Sequence, residues 1–160
     1  MHLARQCLRQ RCLTLRTRDL NFLAGREAID MAKSAVTVFI CVSCRRPVDG
    51  GDEAFDRPGA DLASALRQKF HGSDVAIAEV DCFAVCTRPC TLALTAADKW
   101  TYLIGDLEPE SHLDEIVATV KSFAASENGI VAWRERPSSF RKGVVARVPP
   151  RPSNLELVEP

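Results

Sequence analysis

The 160-residue chain lacks the features that assign most sequences quickly to a class. No apolar run approaches the roughly 20 residues of a membrane-spanning helix. No apolar stretch of about 7–15 residues near the N-terminus marks a secretory signal. Net charge is absent too: 21 Lys+Arg offset 21 Asp+Glu, which excludes polyanion binding as a property of the whole chain. There is no phosphate-cradling glycine loop, since Gly50-Gly51 is too short for one. The acids form no compact pair for acid–base catalysis. Asp114 and Glu115 read as charges favourable at a helix start, and Asp49, Asp52, Glu53 and Asp56 as loop acids.

Cysteine, by contrast, is plentiful. Without an export signal, seven cysteines read as reduced thiols or metal ligands in a cytoplasmic protein, and the odd count argues against a disulfide framework. Five fall into two clusters, Cys41-Val-Ser-Cys44 and Cys82-Phe-Ala-Val-Cys86-Thr-Arg-Pro-Cys90. Four thiolates converging from two segments make a soft-metal or iron–sulfur site.

Three regions are expected. Residues 1–33 carry six arginines among unevenly spaced leucines and read as a disordered or non-native extension, with Met31 a candidate native start; Cys7 and Cys12 lie there and are discounted as ligands. Residues 34–128 read as the domain. Residues 129–160 read as a basic, Pro-rich tail laid on the surface or free; within 131–151 it carries Arg134, Arg136, Arg141, Lys142, Arg147 and Arg151 against Glu135.

Within the domain, Val36–Cys41 and Val75–Val80 predict strands, as do Thr91–Thr95 and Trp100–Ile104 joined by a hairpin at 96–99. Residues 44–58 predict a polar loop. Leu62, Leu66 and Phe70 place a helix over 59–70, stopped near Gly72. A second helix, capped by Ser111, carries Leu113, Ile116, Val117, Val120 and Phe123 as its apolar stripe. With the last element, the order is β-α-β-β-β-α: an α/β protein of thioredoxin-like fold with a small mixed sheet. Both cysteine clusters then leave neighbouring strands at the carboxyl edge of that sheet, where α/β sheets bind ligands.

The residues leave three chemistries open. Structural zinc accepts the same four thiolates as an iron–sulfur cluster. Cys41-x-x-Cys44 after the first strand also occupies a dithiol redox position, although no helix follows to lower a thiol pKa. His71 and His112 read as solvated surface. Trp133 and Phe140 among arginines read as a packed or partner-docking tail rather than a nucleic-acid platform.

The strand order, the pair after the first strand, and C-x-x-x-C followed by Pro and a strand resemble the thioredoxin-like [2Fe-2S] ferredoxins. More closely, residues 34–150 resemble a bacterial family of uncharacterised predicted metal-binding proteins. The pieces that carry this are Val38–Cys44, Cys82–Cys90 with its trailing Thr-Leu-Ala-Leu, Trp133–Pro137, Arg141–Gly143 and Arg147–Pro150. The resemblance implies an electron carrier rather than a catalyst. It implies a [2Fe-2S] cluster on Cys41, Cys44, Cys82 and Cys86, with Cys90 as the alternative to Cys41. It also carries an association with cobalt or cobalamin metabolism. Arg45, Arg46 and Arg88 flank the ligands and would favour the reduced, more negative cluster. The implied partner is a redox or metal-handling protein docking on the basic tail, and a homodimer is a further expectation.

Overall fold

The computed structural model describes residues 35–49 and 55–151. The expected N-terminal extension, with Cys7 and Cys12, lies outside the described residues, as do residues 152–160.

Val36–Cys41 (β1) is β-branched or aromatic at every position before Cys41, and it is an interior strand of the sheet. It pairs in parallel with Val75–Val80 (β4) on one side and antiparallel with Leu92–Thr95 (β5) on the other. Between β1 and β4 the chain makes a two-stranded ribbon, Arg46–Pro47 (β2) with Phe55–Asp56 (β3), and then helix Pro58–Lys69 (α1). The expected loop over 44–58 thus contains this ribbon, pinned by an Arg46–Asp56 ion pair at 2.7 Å. Thr101–Ile104 (β6) closes the predicted hairpin, and Pro109–Ala125 (α2) follows. This is the thioredoxin-like β-α-β-β-β-α arrangement, with core order β4-β1-β5-β6.

Both helices lie on one face of the sheet. Leu62 and Leu66 of α1 and Ile116, Val120 and Phe123 of α2 bury their stripes against Val36, Val38, Ile40, Leu92, Leu94 and Ile104. Each such fully buried side chain contributes about 1.5–3 kcal/mol. Phe123 meets Tyr102 edge-to-face at 6.2 Å, and Lys69 reaches Asp114 across the two helices.

Two expectations change. Helix α2 begins at Pro109, so Ser111 sits in its first turn and does not cap it. Proline is preformed for that position and gives up an N–H that would be unpaired anyway. The ring of His112 reaches back to accept from the Glu108 N–H at 3.1 Å, so it serves the helix start instead of standing idle in solvent. The larger change concerns the tail. Its described part is built into the fold through a 3-10 turn at Trp133–Glu135, a short helix Ser138–Gly143 (α3) and a fifth strand Val144–Val148 (β7) beside β6. Phe140 is buried in the core. Prolines at 137, 149 and 150 masked this, because they punctuate the segment without excluding short elements between them.

Candidate metal centre

Strand β1 ends on Cys41 and β4 ends on Val80, one step before Asp81-Cys82. Because the two strands are parallel neighbours, both cysteine segments emerge at the same sheet edge. Val42 N–H donates to Val80 O at 3.0 Å, and the hydroxyl of Ser43 donates to Asp81 O, so the two segments are tied together just past the strands.

The thiols stand in two pairs of different character. Cys41 and Cys44 are buried, and the Cys44 thiol donates to Cys41 Sγ at 3.1 Å. Cys82 and Cys86 are exposed, 3.9 Å apart, with the Ala84 N–H donating to Cys82 Sγ at 3.1 Å. All five clustered cysteines are free thiols. Among the described residues, no three or more His, Cys, Asp or Glu side chains are gathered around a single ion position. What the fold juxtaposes is pair beside pair.

Electrostatics separates the members of the buried pair. Burial alone would raise the Cys41 thiol, but the hydrogen bond from Cys44 and the N–H groups of Ser43, Cys44 and Phe83 outweigh it, and Cys41 lies below the usual thiol range. Cys44 is pushed up to about 12 by burial, by its bond to Cys41 and by the charge there. Cys86 is raised by its contact with Cys82 and also feels Cys41, so the two pairs lie within each other's field.

Cys90 differs from the other four. It is fully buried in the hydrophobic core, its backbone exchanges hydrogen bonds with Leu107 in both directions, and burial pushes its thiol up to about 12. Thr91, next in sequence, contacts Cys44 and donates to Arg88 O at 2.9 Å. Arg88 holds the Cys82–Cys90 loop from outside, bonding Asp106 at 2.6 Å and the Lys142 carbonyl at 3.0 Å. The expected proximity of Arg88 to the cysteines therefore takes the form of a loop anchor. Arg45 instead lies over the Phe55 ring at 4.5 Å. His71 is exposed.

Gly59 also belongs to the site, although it is not among the expected site residues. The Cys41-x-x-Cys44 pair opens no helix, as expected. However, the ribbon returns the first turn of α1 onto the Cys41 backbone, where a Cβ on Gly59 would lie 1.9 Å from Cys41 O. The amino end of a 12-residue helix thus abuts the buried pair, a placement that favours negative charge. The adjacent Pro58-Gly59 was the available signal: a helix-starting proline followed by a residue with no side chain.

Fold and site together define a thioredoxin-like protein with two cysteine pairs at the carboxyl edge of its sheet. Residues 38–150 match the model of the family described as "Protein of unknown function (DUF1636)", and the chain belongs to that family. The expected kinship with an uncharacterised family is thereby borne out. A comparison with curated proteins gives no match. Among solved structures, the chain is similar to a thioredoxin-like [2Fe-2S] ferredoxin from Aquifex aeolicus, at 18% identity over 73% of this chain and 96% of that one, with a TM-score of 0.48. A further structure of the wild-type ferredoxin aligns at 17% identity over 71% and 98%, with a TM-score of 0.45. No helix among the described residues is long and apolar enough to cross a membrane.

Proposed function

We propose that the chain is a small electron-transfer protein holding a [2Fe-2S] cluster on Cys41, Cys44, Cys82 and Cys86. The observation that carries this reading is the arrangement of four thiols as two adjacent pairs at one sheet edge. A two-iron cluster takes two thiolates per iron, whereas a single zinc needs all four about one point. Thiolate is the softest donor proteins offer and selects these metals over hard cations. Two thiolates about 2.3 Å from a tetrahedral ion stand roughly 3.8 Å apart, close to the 3.9 Å of Cys82 and Cys86.

When bound, the cluster supplies one-electron transfer. The chain supplies the rest. Exposed Cys82 and Cys86 face solvent and thus any partner, while buried Cys41 and Cys44 and the N–H donors around them set the local polarity. Cys90 is read as a core residue rather than the fourth ligand, because its backbone is fixed to Leu107 and its side chain belongs to the apolar cluster. A bacterial source and a role near cobalt metabolism remain parts of the proposal drawn from the resemblance alone, and a cytoplasmic location is the part drawn from the reading of the cysteines as reduced thiols.

A second reading rests on the 3.1 Å contact of Cys41 with Cys44 and on their divided acidities. A low-pKa thiol beside a tightly protonated one is what a dithiol–disulfide couple uses.

Anaerobic purification followed by absorption spectroscopy with iron, sulfide and zinc analysis decides between these readings. Two irons and two sulfides per chain are expected. One zinc in a colourless protein would replace the cluster by a structural ion. A metal-free protein with a reversible Cys41–Cys44 disulfide would establish the second reading.

A further inference from the structure

Thr91 is a polar residue in an apolar place. It is fully buried, just before a strand whose first three residues, Leu92, Ala93 and Leu94, are apolar and buried as well. A buried hydroxyl is costly unless it finds partners.

The partners of Thr91 lie at the buried cysteine pair. One step beyond the last paired residues, Ile40 and Leu92, Thr91 comes opposite Cys41, and its carbonyl accepts the Cys41 N–H at 3.0 Å. Its side chain contacts Cys44 and favours the thiolate form there. Among the described residues, the other hydrogen-bond partners of these two sulfurs are backbone groups and the cysteines themselves.

The hydroxyl has one proton to donate, and two acceptors lie beside it. While Cys44 is a thiol with its own proton directed at Cys41, the hydroxyl donates to Arg88 O at 2.9 Å. That carbonyl does not depend on it, because the Asp106 N–H donates there too, at 3.2 Å. The Arg88 guanidinium, bonded to Asp106 and to the Lys142 carbonyl, holds the residue in place from outside. Turning the hydroxyl away therefore leaves no buried acceptor empty. A sulfur that has exchanged its proton for a metal is a thiolate. A hydrogen bond to such a charged acceptor is roughly twice as strong as one to a neutral carbonyl.

We infer that Thr91 is a positioning residue for the metal centre: once Cys44 binds metal, the Thr91 hydroxyl turns from the Arg88 carbonyl to the Cys44 sulfur and fixes that sulfur's orientation and electron density. This rests on the reading of Cys44 as a ligand, and it holds for a cluster and for zinc alike. In a centre that changes charge, such a donor favours the more negative, reduced form.

Cobalt(II) alone, added to the reduced full chain under nitrogen, tests this without needing a cluster. Thr91→Val removes the hydroxyl with little change of shape and leaves the Arg88 carbonyl its Asp106 partner. It is expected to weaken cobalt binding roughly tenfold, the effect of one hydrogen bond to a charged group. The sulfur-to-cobalt charge-transfer band is expected to move to longer wavelength, because a sulfur without that donor gives up its electrons more easily. Thr91→Ser is expected to restore both, with the circular dichroism spectrum unchanged throughout. If Thr91→Val fails to fold, Thr91→Ala set against Thr91→Ser makes the same comparison. Wild-type affinity and band position in the variants without the hydroxyl overturn the inference. So does a loss that Thr91→Ser leaves unrepaired, which would make Thr91 a packing residue. Iron and sulfide analysis of the same variants reports separately on the cluster: the cobalt effects in a chain that takes up no iron would sink the cluster and leave the role of Thr91 standing, and full iron with no cobalt effect would do the reverse.

Discussion

The thiol of Cys44 donates to the sulfur of Cys41 across 3.1 Å, while Cys82 and Cys86 stand 3.9 Å apart without burial. The exposed pair already has the spacing of two thiolates on one tetrahedral ion, roughly 3.8 Å. The buried pair is closer than that, with the Cys44 proton directed at Cys41 Sγ. A metal entering the site must displace that proton and part the two sulfurs by about 0.7 Å.

Metal uptake should therefore release protons. Cys44 holds its proton up to about 12, so at neutral pH the metal competes with it and apparent affinity rises with pH. Competition between the reduced, metal-free chain and a chromophoric chelator for zinc, at pH values of about 6.5, 7.5 and 8.5, should show at least a tenfold gain in affinity per unit. A pH-independent affinity would mean that Cys44 is not among the ligands.

Replacing the cysteines one at a time should divide them into two groups. Cys41→Ser, Cys44→Ser, Cys82→Ser and Cys86→Ser are expected to lose most bound iron with the fold retained. Cys90→Ala should keep full iron content and instead lower stability by roughly 1–2 kcal/mol in urea unfolding, the effect of shortening a fully buried side chain. Full iron in Cys41→Ser combined with loss in Cys90→Ala would reverse the assignment.

The metal-free chain should weaken as pH rises above the ordinary thiol range. Cys90 and Cys44 are raised to about 12 in the folded protein, whereas unfolded thiols titrate near about 8.5. Below that value both states keep their protons and the stability is fully present. Above it the unfolded chain releases protons that the folded chain retains, so stability falls with pH until the folded thiols titrate. The urea midpoint should drop steadily between about pH 8.5 and 10.5, and less steeply in Cys90→Ala.

Gly59→Ala should damage the site from a distance in sequence. The added methyl would lie 1.9 Å from the Cys41 carbonyl oxygen, a backbone atom that cannot swing aside. We expect a loss of about 3 kcal/mol, together with iron loss even in molecules that still fold, measured as iron per folded chain after size-exclusion chromatography. Unchanged iron and stability would show that α1 does not brace Cys41.

How much of this was legible beforehand depends on sequence separation. The strands and both main helices follow from local apolar periods, and the parallel pairing of β1 with β4 follows from the helix between them. Those alone bring Cys41, Cys44, Cys82 and Cys86 to one edge. The contacts that were not legible join distant segments with little local signal: Gly59 on Cys41, Arg88 on the Lys142 carbonyl, and β7 on β6. Val144–Val148 is apolar enough for a strand, but arginines and prolines around it outweighed five residues. In the sequence Arg136 is one of six basic residues of a tail laid on the surface or free, since nothing near it announces an acceptor.

Arg136 instead offers the sharpest test of whether that segment belongs to the fold. It is 9% exposed, donates to Val131 O at 2.9 Å and to the Tyr102 hydroxyl at 3.1 Å, and lies over the Tyr102 ring at 5.4 Å. Tyr102 is the residue on β6 that Phe123 of α2 packs against, so the guanidinium couples the C-terminal segment to the core. Arg136→Met keeps the stem and removes the donors, leaving the Val131 carbonyl and the tyrosine hydroxyl to lose a charge-assisted bond each. Such bonds contribute about 1.5–3 kcal/mol, so a loss of roughly 2–4 kcal/mol is expected, and a comparable loss for Tyr102→Phe, because the hydroxyl it removes accepts from both Arg136 and the buried Val131 N–H. A free tail would give no change in either variant, and the two substitutions in one chain would then add to nothing. In the folded arrangement they should be less than additive, because both act on the same contact.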